Sequence, residues 1–304
     1  MPPILHFFIG KGGVGKSTTS ALTAVHLARS GRKTLLVSLD PAHNQRDIFR
    51  QPFSEKPVPV CQNLAVKEID VDQWIKRYLK KSTDLIKRAY AYQSAFNIQR
   101  YFNVLKLSPG LEEYALLLAF DDTLTHGGAL DNILFDMPPT ALTLRFFSLP
   151  VITHLWLNEL LALRSRIYER KKIVSKIKFK SMAIEQDKVK SRLQTLIEDS
   201  RHQSARFTSD ATRIDLVLNN DPLSCSEAMR IIKKMHEISI PITRLLLNRC
   251  RPGEIIEKHS QVLEAYPIWR FPQSDARLTG LPALEGYLHR HTDLFTIHSM
   301  AAAG

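Results

Sequence analysis

The run Gly10-Lys11-Gly12-Gly13-Val14-Gly15-Lys16-Ser17 decides the reading of this chain. It satisfies G-x-x-x-x-G-K-[ST] in the setting where that pattern has physical meaning, directly after an apolar strand and at the opening of a helix. The strand is Ile4–Ile9, apolar and aromatic-rich and closed by Gly10. A helix is expected over about 17–30, with Leu22, Val25, Leu27 and Ala28 on its apolar face and Gly31 to end it. Residues 33–39 (KTLLVSL) then read as a second strand, buried on both faces as parallel strands are. In such a loop the glycines let successive N–H groups turn inward around phosphates, and the helix N-terminus adds a favourable dipole. The pattern sends Lys16 to the β- and γ-phosphates and the Ser17 hydroxyl to Mg²⁺. Gly10, Lys11, Gly12, Gly13, Val14, Gly15 and Thr18 line the nucleotide. A chance glycine-rich turn is the bland alternative.

Outward from the loop, helical spacing runs through Trp74, Ile75, Tyr78, Leu79, Leu85 and Ile86 over about 72–120, with a break at Ser108-Pro109-Gly110. A third strand is expected at 130–135, ending at Asp136, and a second helical block at about 155–204. Residues 214–218, 242–247 and 268–271 read as further strands, with a helical stretch at 225–238 between the first two. The fold class is therefore α/β: a doubly wound, mostly parallel sheet of the P-loop NTPase type with an inserted α-helical subdomain. We expect a single domain over 1–304, its helical subdomain contributed by about 72–128 and 153–205.

A chain of 304 residues with 44% hydrophobic and 24% charged residues is composed like a globular protein, not a disordered one. No basic leader or cleavage site precedes the first strand, and the longest apolar runs, such as 114–120, are far shorter than the ~18 residues of a membrane span. Cys61, Cys225 and Cys250 form neither a disulfide framework nor a CxxC zinc site, which points to a reducing, cytoplasmic home. The net charge of +12 favours acidic partners without choosing among nucleic acid, anionic lipid and protein.

Lys11 gives the loop a second cation, as K-G-G-x-G-K-[ST]. A solvated loop charge would be the plain reading. The pattern also resembles the deviant Walker A subclass, which includes the ArsA arsenical-pump ATPases, the ATPases that target tail-anchored membrane proteins, ParA and MinD, and the nitrogenase iron protein. The resemblance implies that Lys11 acts across a dimer interface on the partner's nucleotide, in a homodimer. Asp40-Pro41-Ala42-His43-Asn44-Gln45-Arg46-Asp47-Ile48-Phe49 resembles the D-P-A-H-N-x-x-D-x-F switch I of the ArsA and tail-anchored-targeting family. By that resemblance Asp40 orients the attacking water. Asp136-Met137-Pro138-Pro139-Thr140-Ala141-Leu142-Thr143-Leu144-Arg145 is similar to the family's switch II, D-x-A-P-T-G-H-T-L-R, with Asp136 holding Mg²⁺ through water. Pro138 stands in place of its alanine, and Ala141-Leu142 in place of Gly-His, which stiffens the switch. Asn248 occupies the place of an asparagine that reads the adenine edge, and the run from Pro272-Gln273 through Arg277 to Gly280-Leu281 resembles the adenine-side loop. With Ser108-Pro109-Gly110-Leu111-Glu112-Glu113, the resemblance to a single-copy family member covers nearly the whole chain.

The cysteines exclude an iron–sulfur cluster and a Cys₄ zinc clamp bridging two subunits. The thiols read as small core residues; convergence of Cys225 and Cys250 on arsenite is the rival reading. Eight Lys or Arg between Arg164 and Lys180 suit a solvated face, or transient contact with an anionic membrane or acidic partner. Leu157, Leu160, Leu161, Leu163, Met182 and Ile184 line a client groove or form core. The expected activity is Mg²⁺-dependent ATP hydrolysis by a homodimer that delivers a hydrophobic, tail-anchored membrane client or drives an arsenite-type anion pump. Two rivals remain: a ParA/MinD-like positioning ATPase binding nucleic acid or membrane through its basic surface, with nucleic acid argued against by switch I, and a nucleotide-gated scaffold with negligible hydrolysis.

Overall fold

The computed structural model describes residues 2–89, 110–178, 188–251 and 261–292. Its contacts divide the chain into a sheet-bearing unit, Met1–Phe146 with Asp210–Gly304, and a helical unit, Phe147–Ser209. The elements run β1 (Ile4–Ile9), α1 (Lys16–Arg29), β2 (Thr34–Ser38), α2 (Asn44–Phe49), β3 (Val58–Cys61), β4 (Leu64–Glu68), α3 (Val71–Ala89), α4 (Leu111–His126), β5 (Asn132–Asp136) and α5 (Thr140–Lys178). They continue with α6 (Lys188–Phe207), β6 (Thr212–Asn219), α7 (Pro222–Glu237), β7 (Arg244–Cys250), α8 (Gln261–Glu264), β8 (Ile268–Pro272) and α9 (Leu281–Arg290).

Eight strands form one sheet in the order β3-β4-β2-β5-β1-β6-β7-β8, and every neighbouring pair is parallel except β3 with β4. The expected α/β sheet is present, with differences in detail. The strand anticipated third is β5, the fifth, because β3 and β4 intervene. Neither has a continuous apolar run: β3 carries Pro59, tolerated on an edge strand, and β4 ends in Lys67 and Glu68, which are charged yet buried. The second helical block also starts earlier than anticipated, at Thr140, and α5 passes through Pro150.

Alternation along β1 divides the core between the two sheet faces. Phe7 stacks on Phe135 at 5.0 Å, and Phe120 and Phe146 complete that aromatic cluster beneath α4 and the start of α5. Phe8, Leu36, Leu134, Val217, Leu246 and Phe271 meet Leu22 and Val25 of α1 and Leu284 and Tyr287 of α9 on the other face. Each such side chain contributes about 1.5–3 kcal/mol by leaving water. Gly31 ends α1 as expected: at φ 79° it takes the left-handed turn, and its N–H donates to the Ala28 carbonyl at 3.0 Å.

A polar row crosses the α1 face. His6 Nε2 lies 3.2 Å from Asn132 Oδ1, and Arg244 reaches Asp215 with two bonds of 2.5 and 2.9 Å while lying over the Trp269 ring at 3.3 Å. Burial pushes the His6 imidazole down to about 4, so it is neutral at physiological pH.

In the helical unit, Phe147 packs edge-on against Phe207 at 4.9 Å. Leu157 is buried, whereas Ile152, Leu155, Trp156, Leu163 and Ile167 are exposed at helical spacing, Leu155 to 63% and Trp156 to 62%. Thr140–Glu169 is long and apolar enough to cross a membrane by length and composition. Counting uninterrupted apolar runs misses it, because Arg145 and other polar residues punctuate the stretch. Its first turns nevertheless belong to the sheet unit's core, where Thr143 and Phe146 are buried. Side chains of the basic run from residue 170 onward, and Met182, Ile184, Ser108 and Pro109, lie outside the described residues.

The Asp215 side chain is only 1% exposed, so removing its partner strands a charge in the core. Arg244→Leu is expected to lower unfolding free energy by about 3–5 kcal/mol, and Asp215→Leu added to it to restore a large part of that loss. Urea denaturation of the nucleotide-free protein measures both; equal stability of the single and double variants would contradict the pairing.

Candidate active site

The phosphate loop is shaped by its neighbours as well as by its glycines. Gly10 sits at φ 146°, where a Cβ would strike the Val217 carbonyl of β6. Gly15, at φ 99°, caps α1, and a Cβ there would meet the Asn248 side-chain amide of β7. That amide donates to the Val14 carbonyl at 2.8 Å, so the asparagine expected to read adenine also braces the loop. No acidic side chain occupies the first turn of α1. Its end is therefore open to an anion.

Lys16 is 5% exposed and donates to the Lys11 carbonyl at 3.2 Å. Desolvation lowers its pKa, opposed by the charges of Asp136 and Asp40, so the three expected charged residues act on one another. Lys11 is half-buried, and Gly12 and Gly13 face solvent.

Switch I folds over this loop. Asp40 is buried at the exit of β2, and its Oδ1 accepts the Ala42 N–H at 3.0 Å. His43 and Arg50 flank α2 and are both left-handed, at φ 50° and 58°. Glu68, at the end of β4, accepts the Arg46 N–H at 3.1 Å and lies 3.6 Å from His43 Nδ1. Asn44 Nδ2 points at the Ser17 hydroxyl at 3.5 Å. At the other end of α2, the Ile48 carbonyl accepts the Gly280 N–H at 2.6 Å and Arg50 donates to Thr279 Oγ1 at 2.8 Å, fastening switch I to the anticipated adenine-side run.

Asp136 ends β5 fully buried. Burial raises its carboxyl to about 6; the nearby Ser17 hydroxyl, the Gln45 amide and the Lys16 charge only partly hold it down. Its Oδ2 accepts the Gln45 amide at 2.9 Å, while Oδ1 has no partner. An orphaned carboxylate oxygen next to a serine hydroxyl is a hard-oxygen donor set that suits Mg²⁺. Switch II then enters α5 at Thr140, so Ala141 and Leu142 lie in its first turn, secured by Thr143 Oγ1 donating to the Pro138 carbonyl at 2.6 Å. Arg145 reaches back to buried Glu113 of α4 at 2.7 Å, joining two segments that carried the resemblance.

Pro272 and Gln273 lie at the end of β8. The Pro272 carbonyl accepts from the Tyr287 hydroxyl, and the Gln273 N–H donates to Cys250, each at 2.8 Å. Cys225 and Cys250 are buried and stand outside any disulfide, in keeping with core thiols, and no group of three or more His, Cys, Asp or Glu among the described residues is arranged to hold a metal ion. Two residues that touch this machinery escape a reading of motifs. Glu68 sits in an unrecognised strand. Gln45 occupies a free position of switch I, and the signal for it is its helical alignment with buried Ile48 and Phe49.

The sequence profile of the anion-transporting ATPase family matches residues 4–267. An arsenical pump-driving ATPase 1 of Aquifex aeolicus is 26% identical over 91% of this chain and 76% of its own length. A second such protein from that organism is 28% identical over 81% of the chain and 80% of its own length. An ATPase ASNA1 homolog of Entamoeba histolytica is 29% identical over 81% and 76%.

The raised Asp136 value makes the metal-free fold favour the protonated acid. Its contribution to stability is present below about pH 4 and is lost as pH rises through about 6. His6, lowered from 6.5 to about 4, works oppositely: its contribution is present above pH 6.5 and is lost as pH falls through about 4. The two slopes offset each other in the wild type. Asp136→Asn is expected to unmask a rise in stability from pH 4 to 6, on the order of 2 kcal/mol relative to wild type. Urea midpoints across that range in the metal-free protein test it; parallel pH profiles would refute it.

Proposed function

This chain belongs to the ArsA family of anion-transporting ATPases and is an ATPase, and on that premise we propose that it works as a Mg²⁺-dependent homodimer whose nucleotide state is transmitted to a membrane-protein client or a membrane pump. The observation that carries the reading is the meeting of Lys16, Asp40 and Asp136 at the ends of three strands, with Ser17 held beside Asp136.

Each residue has a role that its placement suits. The loop N–H groups and Lys16 bind the phosphates, drawing Lys16 off the Lys11 carbonyl. Asp40, buried at the end of β2, orients the water and receives its proton. Lys11 is half-buried beside the solvent-facing glycines, where a second subunit could take it up, and it stabilises charge in the partner's site. The Ser17 hydroxyl and, through water, Asp136 would hold Mg²⁺, which would supply neutralisation of the charge that builds on the phosphate oxygens. Asn248, Pro272 and Gln273 border the base.

The exposed apolar row Ile152, Leu155, Trp156, Leu163 and Ile167 supports a hydrophobic client over a purely ionic partner. The relatives' names span both outputs, pump driving and ASNA1. The positioning-ATPase alternative rests on net charge alone.

Lys16→Ala is expected to abolish phosphate release; unchanged steady-state hydrolysis would sink the assignment. Lys11→Ala should retain nucleotide but lose at least about a hundredfold in turnover, the scale of a lost transition-state contact. Co-expression of Lys11→Ala with Lys16→Ala subunits should restore activity that neither has alone, and failure to do so would reject action in trans. Ala141→Gly is expected to loosen the first turn of α5 by about 1 kcal/mol and to speed hydrolysis; slower hydrolysis would show that switch II stiffness does not limit turnover.

A further inference from the structure

Gln45 is a fully buried side chain at a position the switch I pattern leaves open, so nothing in that pattern asks for glutamine. Its Nε2 lies 2.9 Å from Asp136 Oδ2, 3.2 Å from the Ser17 carbonyl and 3.2 Å from Ser20 Oγ. Ser20 donates its own hydrogen to the Ser17 carbonyl at 2.9 Å and so has a lone pair free to accept. All three neighbours are acceptors, which fixes the amide with its nitrogen facing them.

The other half of the amide is as informative. Gln45 Oε1, Asp136 Oδ1 and Ser38 Oγ are each buried without a partner, and Ser38 and Asp136 are register partners on adjacent strands. Three unsatisfied oxygens on neighbouring side chains from β2, α2 and β5 are costly in a dry core. Water molecules around a hydrated cation would donate to all of them.

We propose that Gln45 is a positioning residue that locks switch I to the metal carboxylate. Its amide holds Asp136 and the Ser17 carbonyl together, so α2 closes on the phosphate loop only while Asp136 is turned towards Ser17. The inference deepens the ATPase reading but depends on it only for its magnesium arm.

Hydrogen exchange over Asn44–Phe49 in the nucleotide-free protein tests the lock without any turnover. Gln45→Leu, which keeps the bulk and removes the amide, is expected to exchange about tenfold faster there, the scale of a lost hydrogen bond to a charged group. In an Asp136→Ala background the same substitution should have a clearly smaller effect, because only the bonds to the Ser17 carbonyl and Ser20 Oγ remain to be lost. Gln45→Glu, of the same shape but opposing Asp136 with like charge, should accelerate exchange at least as much as Gln45→Leu, and serves if the leucine variant fails to fold. In the magnesium arm, Gln45→Leu should raise the Mg²⁺ concentration for half-maximal hydrolysis several-fold and leave the affinity for Mg²⁺-free ATP unchanged. Unchanged exchange over Asn44–Phe49, or an effect of Gln45→Leu that persists in full without Asp136, would overturn the proposal and leave Gln45 a packing residue. Loss of hydrolysis in the wild type itself would instead count against the ATPase reading.

Discussion

A lysine ammonium this deeply buried cannot be left alone, and the arrangement of strands follows from that. Lys16 gains from the negative charges of Asp136 and Asp40, and each carboxylate comes from a different strand end. The sheet order makes the meeting possible by inserting β5 between β2 and β1, so Asp136 emerges between the loop that carries Lys16 and the strand that delivers Asp40. Had β5 joined the sheet at an edge, the cation would have faced one carboxylate instead of two. The parallel register therefore serves electrostatics as much as backbone pairing. Asn248 and the Val217 carbonyl press on the loop from the other flank, which is why Gly10 and Gly15 tolerate no side chain.

Two buried titrations with opposite pH slopes coexist in the sheet unit. Asp136 lies beside Lys16 and Ser17 at the phosphate loop, whereas His6 sits in the structural row with Asn132, Asp215 and Arg244. Their opposite slopes offset each other in overall acid stability, so the cost of burying the Asp136 carboxylate is masked there.

Much of this was legible in residue order, for identifiable reasons. Strands buried on both faces show as runs dominated by apolar residues, which is how β1, β2, β5, β6 and β7 could be read within a few residues, and β8 was legible from Ile268, Trp269 and Phe271 despite exposed Arg270. The phosphate loop and switch I are contiguous motifs, so their chemistry travels with the text. The hairpin β3–β4 was not legible because Pro59, Lys67 and Glu68 imitate a loop, their burial being a tertiary fact. Gln45 and Glu68 were missed for a related reason: the partners that give them meaning, Asp136 and His43, lie 91 and 25 positions away. The early start of α5 follows from Ala141 and Leu142, good helix formers where the family pattern has Gly-His.

The short helix α2 is bounded by His43 and Arg50, two non-glycine residues in left-handed backbone. Each costs on the order of 1 kcal/mol that local sequence does nothing to recover. The tethers recover it instead: Glu68 at one end, Thr279 and Gly280 at the other, and Gln45 beneath. Such an element does not drift. Cutting one anchor leaves that backbone cost to be met by the others, so the tethers hold α2 as a unit and not residue by residue. Loss of a contact at the phosphate-loop end of α2 is thereby felt at its far end, where Gly280 and Thr279 hold it.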